Sequence, residues 1–174
     1  MIILGLDPGS RITGFGLIDN QTDRIVYLHS GCIRVSGDSL AARLGHIYAE
    51  IDAVIRQYRP RQMGIERVFM SRNADSALKL GQARGAAICA AHLAGLDVAE
   101  YAAREVKQSI VGTGAASKEQ VQHMVKQLLG IRQPLQADEA DGLAIAICHA
   151  QFYATQQRTG LDSSLFKRRR NSRR

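Results

Sequence analysis

Ile2-Ile3-Leu4-Gly5-Leu6-Asp7-Pro8-Gly9-Ser10 stands at the start of the chain. Apolar and small residues run into a carboxylate, and Pro8-Gly9 then turns the backbone. The stretch reads as a buried strand that ends on Asp7. A carboxylate in that position is poorly solvated and costly unless a cation meets it. The design recurs at Met63-Gly64-Ile65, which runs into Glu66, in a short strand ending near Arg67. Asp138 and Asp141, three apart, stand at the start of an apolar helical segment predicted from Ala137 to Ala154. Each acid alone has an ordinary explanation: a turn cap, a surface strand end, or a partner for the helix dipole. Together they mean more, because open α/β sheets carry their sites at the carboxyl ends of strands. A last helix packed on the sheet can bring its N-terminus to the same edge. Four converging carboxylates would repel one another and need divalent metal. The pattern points to metal-assisted phosphoryl chemistry, with Asp7 bridging two ions about 4 Å apart. No histidine stands at zinc spacing beside these acids, so magnesium is expected, with manganese able to replace it.

Outward from these acids, the sequence describes a mixed-sheet α/β domain. Three strands joined by turns fill residues 1–35, the third bulged at Gly31. An amphipathic helix from Ser39 to Tyr58 carries Leu40, Leu44, Ile47, Ile51 and Ile55 on one stripe and stops at Pro60. A second helix, about 74–94, repeats Ala77, Gly81, Gly85 and Cys89 at every fourth position. Glycine inside a helix costs about 1 kcal/mol against alanine, so this ridge implies close backbone approach. The approaching partner is either the chain's own sheet or a second copy, with the dimer favoured. Asp97 to Tyr101 is a fifth strand. A short helix follows within 104–113, then a glycine loop. Ser117-Lys118-Glu119-Gln120 is a capping box opening a helix with Val121, Met124, Val125 and Leu128 buried.

The 174 residues suit one domain, predicted over 1–155, with a basic tail over 156–174 expected to be disordered. Residues 158–174 carry +6 of the net charge of +7, leaving the rest nearly neutral. The tail is either a solvated terminus or a nonspecific phosphate contact. Met1 leads straight into a strand, and no apolar run is long enough to span a bilayer, so a cytoplasmic location with no membrane association is expected. Cys32, Cys89 and Cys148 are scattered and read as reduced core or interface cysteines.

Four segments resemble the bacterial RuvC Holliday junction resolvases. They are Leu4 to Ser10, Glu66-Arg67-Val68-Phe69-Met70, Asn73 to Gly85, and Gln136-Ala137-Asp138-Glu139-Ala140-Asp141-Gly142-Leu143-Ala144. The resemblance covers about residues 1–155 in order. It implies a ribonuclease H-like fold with a mixed five-stranded sheet flanked by helices, and a homodimer. It implies magnesium-dependent paired nicking of four-way DNA junctions in recombination and repair, with Asp7, Glu66, Asp138 and Asp141 as metal ligands. It also implies a RuvA–RuvB branch-migration complex as partner and a thymine-containing cleavage sequence. Nicking is expected to leave 5′-phosphate and 3′-hydroxyl ends.

Substrate contacts are expected from Phe69, flanked by Arg67 and Arg72. A loop aromatic between arginines suits base stacking, although Phe69 also reads as core. Lys118, at a helix N-terminus after a glycine loop, suits phosphate binding and charge stabilisation in the transition state. Lys107 is expected to contact phosphate as well, and the family has lysines at both positions. Arg104, Lys79 and Arg84 are further basic candidates. Three other readings stay open. Gly14 and Gly16 after Asp7-Pro8-Gly9-Ser10 also fit the first phosphate loop of actin-like ATPases. A non-catalytic DNA-structure-binding dimer would keep Phe69 and the basic residues. A ribonuclease H-fold enzyme acting on RNA or another branched substrate would share the cleavage chemistry.

Overall fold

The computed structural model describes residues 1–67 and 74–159. Five strands, β1 (Ile2–Asp7), β2 (Ile12–Asn20), β3 (Ile25–Arg34), β4 (Gln62–Glu66) and β5 (Asp97–Tyr101), form one sheet in the order β3-β2-β1-β4-β5. The first three run as an antiparallel meander, and β4 and β5 lie parallel to β1. This is the mixed five-stranded sheet the sequence predicts. Its bulge, however, falls at Leu28 and not at Gly31: the pairing steps from Leu17–His29 to Ile18–Tyr27, leaving Leu28 without a partner position. Gly31 lies opposite Phe15, where a Cβ would sit 2.7 Å from the phenyl ring, so that glycine makes room for an aromatic side chain.

Among the described residues five helices cover the sheet: α1 (Leu40–Tyr58), α2 (Ala74–Leu93), α3 (Ala103–Val111), α4 (Lys118–Leu129) and α5 (Ala137–Thr159). Side chains alternate across a strand, and here the alternation divides two cores. Leu4, Leu6, Phe15, Leu17, Met63 and Ile65 pack against α1 and α2. Ile3 and Ile18 join α3, α4 and α5 on the other face. Ser39 caps α1 by accepting the Ala42 N–H, and Arg59 closes it in the left-handed region before Pro60. Leu40, expected on the buried stripe, is half exposed at the helix start. In α4 the capping box forms as predicted, but Leu128 points outward and Leu129 packs in its place.

The last helix is central to the fold. It is buried from Gly142 through Ala150 and extends to Thr159, five residues beyond the predicted end. A helix enclosed on all sides shows no clear apolar stripe. It can lie so close to the sheet because glycines line the contact. A Cβ on Gly5 would collide with the Gly142 carbonyl, one on Gly14 with the Asp138 carbonyl, and one on Gly142 would come 2.6 Å from the Phe15 backbone. Gly14 and Gly16 therefore serve helix packing. They do not form a phosphate loop, and the ATPase reading of that segment falls.

Candidate metal centre and nucleic-acid interface

Strand alternation aims the first two acids. In β1, residues 3, 5 and 7 face α5; in β4, residues 62, 64 and 66 do the same. Gly64 lies under Ile145 and His149 of α5, and Gln62 bonds to His149. Leu6 pairs with Ile65, so Asp7 and Glu66 leave neighbouring parallel strands side by side. The first turn of α5 supplies the other two acids. Glu139 takes the capping task, accepting the Gln136 N–H at 2.9 Å, which leaves Asp138 and Asp141 directed at the strand ends.

Carboxylate oxygens of Asp7, Asp138 and Asp141 lie within 4.8 Å of one another. Glu66 stands outside that tight group but raises the Asp7 value through its charge and is itself raised by Asp141. Burial and then the charges of Glu66, Asp141 and Asp138 push the Asp7 carboxyl up to about 7, against partial relief from Lys118. Burial is also the main cause that raises Glu66, while Lys118 and Lys107 pull it down. Hard oxygen donors, half-buried and in mutual repulsion, are the donor set that Mg²⁺ or Mn²⁺ takes.

The basic residues fall into two groups. Lys118, the first residue of α4, is mostly exposed and holds Asp141 at 3.2 Å; that carboxylate raises its pKa. Lys107 on α3 is near enough to act on Glu66. Both therefore line the acidic edge. Arg67 and Arg84 are instead engaged by the protein. The Arg67 amide bonds the Tyr101 carbonyl at 2.7 Å, and its guanidinium meets the Glu100 carbonyl and, at 3.7 Å, Glu105. Arg84 reaches Glu66 and Glu100. Phe69 and Arg72 lie outside the described residues.

Among the described residues, the two glycines of the α2 ridge have no close neighbour. The buried face of α2 is Ala83, Ala87, Ala90 and Ala91. A Cβ on Gly81 or Gly85 would meet nothing within 4 Å, and Cys89 and Leu78 are exposed. Among the described residues, packing on the chain's own sheet does not account for Gly81 and Gly85.

Sequence reasoning passed over one group: His149, buried in α5. Its ring nitrogens meet Tyr101 Oη at 2.7 Å and Gln62 Oε1 at 2.6 Å, tying α5 to β5 and β4. Burial lowers its pKa to about 4. The signal available in sequence was a lone histidine in an otherwise apolar helix.

The sheet order, the central helix and the carboxylate cluster together define a metal-dependent nuclease of the ribonuclease H-like fold. The family model for crossover junction endodeoxyribonuclease RuvC matches residues 3–149. The RuvC of Tolumonas auensis is 63% identical over 156 residues, covering 90% of this chain and 88% of the relative. That of Shewanella frigidimarina is 61% identical over 152 residues, covering 87% and 88%. The Thermus thermophilus RuvC, solved in complex with a Holliday junction substrate, superposes with a TM-score of 0.82 at 36% identity, covering 90% and 96%. The chain belongs to the RuvC family of crossover junction endodeoxyribonucleases. No described helix is long and apolar enough to cross a membrane.

Proposed function

We propose that this chain resolves four-way (Holliday) DNA junctions as a homodimer, by paired Mg²⁺-dependent nicks at a site built from Asp7, Glu66, Asp138 and Asp141. The observation that carries the reading is the convergence of three carboxylates within 4.8 Å, with Asp7 pushed up to about 7. The Thermus relative bound to a junction supports the substrate. Two ions per protomer suit the chemistry, and Mn²⁺ is expected to replace Mg²⁺. Divalent ions bound there supply Lewis-acid polarisation of the scissile phosphate and acidify a water.

The chain's own groups do the rest. Asp7 from β1, Asp138 and Asp141 from α5 and Glu66 from β4 would hold the ions. Lys118, held beside Asp141 and mostly exposed, would reach the scissile phosphate and stabilise the charge that develops there. Lys107 neutralises backbone phosphate beside Glu66. Phe69 stacks on bases at the crossover, with Arg67 and Arg72 flanking it. The 3′ oxygen leaves, giving a 5′-phosphate and a 3′-hydroxyl.

The open ridge of Ala77, Gly81 and Gly85 is the dimer seam, setting two sites on like strands of a two-fold junction. A RuvA–RuvB complex presents the junction, in the cytoplasm. The nuclease domain covers 1–155, and the tail from 156 adds nonspecific phosphate contact.

The test is cleavage of a labelled synthetic four-way junction, with linear duplex and RNA–DNA hybrid as controls. Symmetric, Mg²⁺-dependent nicks in the junction alone are expected. Preferential cleavage of the hybrid would overturn the substrate assignment. Binding without cleavage would favour a DNA-structure-binding protein.

A further inference from the structure

Arg84 stands on α2 and reaches the carboxyl end of β4. Its Nε–H donates to the main-chain carbonyl of Glu66 at 3.2 Å. Its Nη2 lies 2.8 Å from Glu100 Oε2, off the line of an N–H hydrogen bond, so that contact is an ion pair. Only 18% of the Arg84 side chain is exposed. Glu100 on β5 in turn gives its carbonyl to Arg67. The Arg67 N–H to the Tyr101 carbonyl continues the β4–β5 ladder one residue past Glu66. The carboxyl end of β4 is thus held on one side by β5 and on the other by α2. Arg84 makes the second attachment.

We propose that Arg84 is a positioning residue for the metal centre: its bond to the Glu66 carbonyl fixes the orientation of the Glu66 carboxylate and couples it to the placement of α2. This rests on the assignment of Glu66 as a metal ligand. Three features favour positioning over DNA contact. The guanidinium is largely buried, its charge is already met by Glu100, and its Nε is committed to a carbonyl on the ligand residue itself. A planar guanidinium can span a carbonyl and a carboxylate at once, which a lysine ammonium cannot do with the same geometry. The coupling also has a structural consequence. Gly81, three residues before Arg84, lies on the adjoining flank of α2, away from the buried alanines, so an element that docks there bears on Glu66 through one side chain. Groups that support metal ligands typically change metal affinity by about 10- to 100-fold when removed.

The experiment measures the Mg²⁺ or Mn²⁺ concentration at half-saturation in two ways: by metal-induced thermal stabilisation of the protein without DNA, and by single-turnover junction cleavage. Binding to a junction in EDTA is measured in parallel. Arg84→Ala should raise both metal midpoints at least about 10-fold and leave EDTA-stage junction affinity within about twofold. Arg84→Lys should restore little, because it keeps the charge beside Glu100 but not the forked geometry. Glu100→Gln, which retains the bond to Glu66, should shift the midpoints much less than Arg84→Ala. If Arg84→Ala does not fold, Arg84→Lys against Glu100→Gln gives the same ordering. Unchanged metal midpoints with a lowered metal-free Tm would overturn the proposal in favour of a packing role. Weakened junction binding in EDTA would overturn it in favour of direct DNA contact. Glu66→Gln is the control. A shifted midpoint there with none in the Arg84 variants defeats this proposal alone; no shift there defeats the ligand assignment beneath it.

Discussion

Asp7 is a buried carboxyl among three other acids, and that environment makes predictions. An acid whose native pKa is raised, here from 3.8 to about 7, binds its proton more tightly in the folded state. Between those values the native state holds more protons than the unfolded one, so metal-free stability falls as pH rises through that window. Below about 4 this penalty is absent. Denaturation in EDTA should therefore show Asp7→Asn gaining on the parent protein from pH 5 to pH 8, by at most about 3 kcal/mol. A gap that does not widen with pH would contradict the assigned environment. Metal binding near pH 7 should release a proton, readable by calorimetry in buffers of different ionisation enthalpy. Lys118 is the second test at this scale. Lys118→Ala should slow single-turnover cleavage by about 100-fold at saturating metal while leaving junction affinity nearly intact. An equal loss of both would make it a binding residue only. The acids were legible because each interrupts an apolar run, and Lys118 because a capping box announces the helix it opens. The protein partners of Arg67 and Arg84 were not legible, since nothing local in a sequence reveals Glu66, Glu100 and Glu105 waiting across other elements.

The elements themselves were mostly legible. Strand and helix periods, Ser39, Pro60 and the Ser117 capping box gave their order, because these signals are local. What stayed hidden was contact between distant elements. The bulge fell at Leu28 because pairing register, not glycine content, decides it. Gly14 and Gly16 also fitted a phosphate loop, yet with Gly5 they are where α5 lies on the sheet. That contact brings Asp138 and Asp141 to Asp7. Gly142→Ala should destabilise the fold by about 2 kcal/mol and weaken metal binding, as denaturation and metal titration would report. A variant as stable as the parent, with unchanged metal affinity, would remove the glycine seam from the explanation. His149 fastens the same helix. Its lowered pKa means its contribution is intact above about 6.5 and is lost as pH falls toward 4, because the unfolded state takes the proton first. Tyr101→Phe, which takes a hydroxyl partner from Nδ1, should cost about 1–3 kcal/mol.

At the scale of the whole molecule, the acidic edge, the lysines beside it and the unused face of α2 have to act together. One active site per protomer can nick one strand, and a junction needs two. Sedimentation should give a dimer mass that Gly81→Leu halves, since a Cβ there meets none of the described residues of its own protomer. An unchanged mass would move the seam elsewhere. The central claim is narrower: acids from β1, β4 and α5 form a metal centre that cuts junction DNA and is separable from the surface that binds it. The most direct measurement compares the parent protein and Asp7→Asn on one labelled four-way junction, reading binding in EDTA and cleavage in Mg²⁺. Equal binding, with symmetric nicks from the parent and none from the variant, is the expected result. Undiminished cleavage by Asp7→Asn would contradict it.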